Sequence, residues 1–192
     1  MKSTGMLPEG YKEILRIDLQ KDRKTMLTVN VLAGIVMTAM LAVGFALVSP
    51  GTLFAAEDLG SMWKKLGVMC AGYVLYLIAH EGVHGIAMKS CCDAKPYFGF
   101  TGVYAYVASK AYYSRRDYLK ISLAPILTLG ILLGILQFMV PISWFHVVYF
   151  IQAGNISGAA GDLYVAWRIH SLPADILVQD EGVAITVFSA QK

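Results

Sequence analysis

Two acidic residues, Glu81 and Asp162, lie inside long apolar runs of the chain, and no lysine or arginine lies well inside either run to pair with them. Ionisable groups are costly in such surroundings and mark functional positions by default. Glu81 belongs to the stretch His80-Glu81-Gly82-Val83-His84. On a helix, residues four apart stand on one face. Two imidazoles so placed can coordinate one zinc ion, and the carboxylate beside them can take a proton from an activated water and pass it to a leaving amine. Zinc lowers the pKa of water to about 7, so the chemistry would be hydrolysis at neutral pH. The alternative is a hydrogen-bonding histidine pair beside a buried, protonated glutamate, and three adjacent polar groups in lipid would then need strong compensation.

The elements that position these residues read as membrane helices. Met26 to Val48 carries no charge and is long enough to cross a hydrocarbon layer of about 30 Å. Ser49-Pro50-Gly51 ends it, and a short loop follows with Glu57, Asp58, Lys64 and Lys65. A second span from Leu66 to Met88 carries the His-Glu-x-x-His stretch. Between it and the third span, Ile121 to Val140, lies a polar connection rich in Tyr, Phe, Val and Gly, whose segment from Tyr97 to Val107 favours a β-hairpin. Pro125 is expected to kink the third span. Pro141 turns the chain into a fourth span, Ser143 to Trp167. The tail, with Ile176-Leu177-Val178 and Ala184 to Phe188 around Asp180-Glu181-Gly182, has the pattern of a second short hairpin in water. Near the N-terminus, Glu13 to Leu19 alternates weakly, as a short strand or a surface helix would. The expected fold is therefore an all-α membrane bundle of four transmembrane helices with a hairpin between the second and third, organised as a single membrane-embedded domain over residues 1–192.

Lysine and arginine orient this bundle. Lys2, Lys12, Arg16, Lys21, Arg23 and Lys24 precede the first span, and Lys89, Lys95, Lys110, Arg115, Arg116 and Lys120 follow the second. The other two connections hold only Lys64 and Lys65. Both rich segments, and both termini, are expected on the cytoplasmic side.

A catalytic zinc needs a third protein ligand and an open position. Asp162, His146 and His170 are the candidates, and depth separates them. His80 lies about 13 Å and His84 about 7 Å along their helix from its cytoplasmic end, while Asp162 lies about 9 Å from the same side. His146 is about 24 Å along its helix from Asp162, and His170 falls outside the membrane. Asp162 is therefore the expected third ligand. Gly154 and Gly158 form a small-xxx-small surface on the way to it, suited to close helix contact and equally to plain packing. Asn155, seven residues before Asp162, could contact substrate backbone or an oxyanion, or make an interhelical hydrogen bond.

Composition narrows the classes. Charged residues make up 15% of the chain, well below the roughly one quarter usual for soluble domains. A net charge of +3, with no arginine-rich stripe, gives no reason to expect nucleic acid. Cys70, Cys91 and Cys92 are odd in number, which makes a poor disulfide framework. No short apolar region with a small-residue cleavage site precedes the first span, so no cleaved leader is expected.

His80-Glu81-Gly82-Val83-His84-Gly85 in one span, with Asn155 to Asp162 in a later one, resembles the site-two-protease-like intramembrane zinc peptidases. More closely, the chain is similar to a group of four-span bacterial proteins described as putative zincin peptidases. This likeness extends over nearly the whole chain, including the aromatic hairpin region, Leu123-Ala124-Pro125 and Asp180. It implies Zn2+ held by His80, His84 and Asp162, Glu81 as general base, and residence in the bacterial inner membrane. The chain departs from the site-two-protease pattern in having no proline between Asn155 and Asp162, and Leu163 where a glycine is usual.

The leading expectation is a zinc metallopeptidase that hydrolyses peptide bonds of membrane proteins, with a membrane-protein or peptide substrate and the lipid bilayer as its partners. A non-enzymatic zinc protein with a structural or sensing role is the alternative, and it would not require Glu81. An ion relay through Glu81 and Asp162 is a third reading, set back by the lack of broken-helix repeats.

Overall fold

A computed structural model of the chain describes residues 2–54, 59–102 and 105–190. Glu57 and Asp58 of the first loop, and Val103 and Tyr104 of the hairpin region, lie outside these described residues.

Among the described residues, three helices are long and apolar enough to cross a membrane, where four spans were expected. The first, α1 (Arg23–Leu47), has a mean hydropathy of 2.1 over its most apolar stretch, and none of that stretch is buried. Its surface is therefore suited to lipid. Asp22 caps it: one carboxylate oxygen accepts from the Lys24 N–H at 3.0 Å and the other from the Thr25 hydroxyl at 2.6 Å. These bonds hold the exposed Asp22 carboxyl below the usual carboxylate range, the Thr25 hydroxyl contributing most. After the short α2 (Gly51–Phe54) comes α3 (Leu59–Cys91). Its 33 residues extend about 50 Å, beyond what the hydrocarbon layer alone requires. The third long helix is α4 (Arg115–Met139), with Pro125 inside it.

The expected all-α bundle is overturned by six strands in two antiparallel sheets, which make the fold a mixed one. The strand β1 (Tyr11–Asp18) settles the ambiguity of the N-terminal segment. A two-stranded sheet pairs β2 (Tyr97–Phe100) with β3 (Ala105–Ala108). The other strands are β4 (Tyr112–Ser114), β5 (Leu177–Asp180) and β6 (Ala184–Ala190), which join β1 in the order β1-β6-β5-β4. The tail forms the expected hairpin, β5 against β6, but within a larger sheet: β6 also pairs with β1 from Tyr11↔Ala190 to Asp18↔Ala184. Pairing across some 170 positions of sequence is invisible to local alternation, which registers only that each segment has one apolar face.

The fourth expected span is also divided. A 3₁₀ turn (Ile142–Trp144) leads into α5 (Phe145–Gly158), the helix stops at Ala159, and α6 (Ala160–His170) begins. Gly158 and Gly161 flank the break, and glycine is a weak helix former. Among the described residues, neither piece reaches the length of a crossing helix.

The chain forms two compact units. One comprises residues 1–29, 80–125 and 161–192, and the other residues 30–79 and 126–160. The core of the first brings Val178, Ile185 and Val187 of the four-stranded sheet together with Met88, Ile121 and Ile169 of three helices. In the second, the Tyr73 ring lies over Gly154 and the Tyr76 hydroxyl reaches Gly158, so the small-xxx-small surface of α5 receives tyrosine side chains.

Candidate metal centre

His80, Glu81 and His84 lie on α3, and Asp162 lies in the first turn of α6. All four belong to the first compact unit. The α5–α6 break makes Asp162 a helix N-terminal residue, where a carboxylate is favoured by the unpaired N–H groups of the first turn. The four-residue spacing sets the two imidazoles edge to face, with ring centroids 4.9 Å apart and 76° between their planes.

The ring nitrogens converge on the carboxylate. His80 Nε2 is 3.3 Å from Asp162 Oδ2, and His84 Nε2 is 3.4 Å from Asp162 Oδ1. One ligand atom from each of the three residues lies within 4.8 Å of the others. Both histidines are 8% exposed. The other nitrogen of His84 decides its tautomer. Nδ1 is 3.0 Å from the Ile121 carbonyl oxygen, which can only accept, so Nδ1 carries the proton. In the neutral ring Nε2 is then a lone pair aimed at an anionic oxygen. Two acceptors so placed call for a cation between them.

Zinc fits this set. Two nitrogens and a carboxylate are a donor set of catalytic zinc sites, which keep a fourth position open. Ligand atoms about 2.1 Å from a tetrahedral ion stand about 3.4 Å apart, close to the 3.3 and 3.4 Å found between the nitrogens and the carboxylate. The bond from His84 to a backbone carbonyl is the kind of outer contact that fixes a metal-binding imidazole. Glu81 is half-buried beside the three, and the backbone N–H of Val107 in β3 faces its carboxylate.

Among the described residues, no other sequence candidate belongs to this group of potential ligands. His146 belongs to the second unit, where its Nε2–H donates to the Ser49 carbonyl at 3.2 Å. His170 is exposed at the end of α6. Asn155, also in the second unit, is fully buried, and its Nδ2 donates to the Ile126 carbonyl at 3.5 Å. All three cysteines are free thiols.

The sequence reading did not single out Tyr118 or the Ile121 carbonyl, and it met Asp180 only as part of the tail hairpin and of the family likeness. The buried Asp180 accepts from the Tyr118 hydroxyl at 2.8 Å and from the Gly182 N–H at 2.8 Å. Burial pushes its carboxyl up to about 6, with the bonds from Gly182 and Tyr118 working the other way. A backbone carbonyl carries no side-chain signal, so only the proline four residues after Ile121 could have pointed to it.

Comparison with known families decides the class of this site. Residues 73–177 match the family described as putative zincin peptidase. The chain belongs to that family. The matched region contains His80, Glu81, His84 and Asp162. Membership puts the protein in a metallopeptidase class and implies zinc as its metal. No curated protein and no solved structure matches the chain.

Proposed function

We propose that the protein is a zinc metallopeptidase that hydrolyses peptide bonds within or next to the membrane. The observation that carries this reading is the convergence of His80 Nε2 and His84 Nε2 on the Asp162 carboxylate, with His84 locked as a donor to Ile121. His80, His84 and Asp162 would hold the metal. Bound zinc would supply Lewis-acid polarisation of the scissile carbonyl and activation of water. Glu81 is kept free of the ligand set so that its carboxylate can accept a proton from the attacking water and deliver it to the leaving amide nitrogen. A buried setting limits competing water and strengthens each electrostatic interaction.

The membrane assignment draws on the three long apolar helices, and the lysine and arginine distribution supports a site on the cytoplasmic side. The substrates would accordingly be membrane proteins cut near a cytoplasmic boundary. Asn155 would serve as a substrate or oxyanion contact only after giving up its bond to Ile126.

Glu81→Gln keeps side-chain size and removes the base. It should leave zinc bound and lower cleavage by about 10²–10⁴-fold. Quantitative membrane proteomics of the native host, wild type against Glu81→Gln, tests this: fragments ending near a cytoplasmic boundary should disappear and their precursors accumulate. An unchanged profile across growth conditions, with normal zinc content, would favour a non-enzymatic zinc protein.

A further inference from the structure

The outer contact of His84 has a cause in the sequence. In an α-helix each carbonyl accepts from the N–H four residues ahead. For Ile121 that residue is Pro125, which has no N–H. The carbonyl is therefore released from the helix ladder, and His84 Nδ1–H takes the freed position at 3.0 Å. Ile121 is 1% exposed, so solvent is a poor substitute donor.

The same turn of α4 is fastened from a second direction. Tyr118 and Ser122 lie three residues before and one after Ile121, on the same side of the helix as each other. The Tyr118 hydroxyl donates to Asp180 Oδ2, and the Gly182 N–H donates to Asp180 Oδ1, both at 2.8 Å. The Asp180 carbonyl accepts from the Ser109 N–H at 2.9 Å, just after β3. Gly182 has a φ of +92°, and the Tyr106 ring of β3 occupies the place a side chain there would take. The turn from Asp180 to Gly182 thus steadies both neighbours of the His-Glu-x-x-His stretch: α4 with its carbonyl on His84, and β3 with its N–H facing Glu81.

We propose that Pro125 and the Tyr118–Asp180 hydrogen bond are positioning elements of the metal centre, the proline freeing the Ile121 carbonyl and the hydrogen bond holding it where it orients His84. This rests on reading His80, His84 and Asp162 as metal ligands. None of the three positioning residues touches the metal or the substrate in this account. They act by fixing the proton on Nδ1 and presenting Nε2 to the metal.

Pro125→Ala is the decisive substitution. It restores an N–H that competes for the Ile121 carbonyl, and alanine is the better helix former, so the protein should fold. Full-length protein in detergent micelles would be titrated with zinc, and with cobalt(II) as a spectroscopic stand-in. Zinc affinity should fall about 10–100-fold, as for other lost outer contacts, and the cobalt visible spectrum should change. The tautomer of His84 would be read in metal-free protein from histidine ¹⁵N shifts above its titration range, with His84→Gln identifying its signal. Wild type should be protonated at Nδ1, and Pro125→Ala should be a mixture. Tyr118→Phe should shift affinity and spectrum in the same direction by less. Wild-type affinity and tautomer in Pro125→Ala would overturn the proposal, and wild-type affinity in Tyr118→Phe would remove the hydrogen bond from it. If wild type bound no zinc yet the tautomer responded as expected, the positioning of His84 would stand and the metallopeptidase reading would fall.

Discussion

His84 and His146 are two histidines with nearly the same immediate surroundings, one in each compact unit. They are 8% and 6% exposed, and each donates one ring N–H to a backbone carbonyl, at 3.0 Å and 3.2 Å. They differ at the remaining nitrogen. His84 Nε2 faces Asp162 Oδ1 at 3.4 Å, whereas His146 packs its ring against Phe45 and Phe145. Among the described residues, no ion pair and no group of potential metal ligands includes His146. Burial and a carbonyl partner therefore do not make a metal ligand. A second acceptor on the far side of the ring does, because it leaves a gap that only a proton or a metal can fill.

The sharpest way to break this comparison is to remove that acceptor. Asp162→Ala should reduce zinc affinity by well over the roughly 100-fold ceiling of an outer-contact loss, since a direct ligand disappears. Zinc content of purified protein checks it, and full zinc in the variant would end the assignment of Asp162. Metal removal is the next test. With free zinc at about 100 times its dissociation constant, binding stabilises the native state by about 2.7 kcal/mol. Chelation should therefore lower the thermal midpoint of wild type and leave Asp162→Ala nearly unmoved. Equal shifts in both proteins would mean that the stabilising metal sits elsewhere.

Buried acidity separates the two regions as well. The first unit contains Asp180, with a pKa of about 6 in the folded protein, against about 3.9 for an unfolded aspartate. The buried amides Gln137, Gln152 and Asn155 of the second unit do not titrate. A carboxyl whose folded pKa is raised favours the native state when protonated. Its contribution is complete below about pH 4 and is lost as pH rises through about 6. Zinc-free wild type should therefore gain stability relative to Asp180→Asn between pH 7 and pH 4.5, by at most about 3 kcal/mol. Thermal unfolding of both proteins at the two pH values gives the difference directly. A constant gap between them would show that Asp180 does not titrate in this range.

Much of the site was legible because its signals are local. Glu81 and Asp162 are conspicuous as charges in apolar runs, and the four-residue spacing of His80 and His84 announces one helix face. Depth along the helices singled out Asp162 over His146 and His170. The sheet was not legible, because β1 and β6 meet across nearly the full length of the chain, and no local pattern encodes a partner. The α5–α6 break was hidden by apolarity: Gly158-Ala159-Ala160-Gly161 is hydrophobic enough to continue a span, and its two alanines mask the two glycines that weaken the helix. Pro125 was read as a kink when its stronger consequence is the carbonyl it releases at Ile121.

The smallest expected effect tests the comparison most directly, by making one substitution at both histidines. Phenylalanine roughly conserves the volume and ring shape of histidine and removes both nitrogens. At His84 it deletes a ligand, so zinc binding should be lost. At His146 it should keep the contacts with Phe45 and Phe145 and cost only the bond to the Ser49 carbonyl. Ser49 is exposed just past the end of α1, where water can take over as donor. The loss should then be near that of one ordinary hydrogen bond, about 1 kcal/mol, with zinc affinity unchanged. Zinc titration and thermal unfolding of the two variants side by side measure both quantities. If His146→Phe lost zinc as His84→Phe does, the carboxylate facing His84 would not be what distinguishes a ligand from a packed ring in this protein.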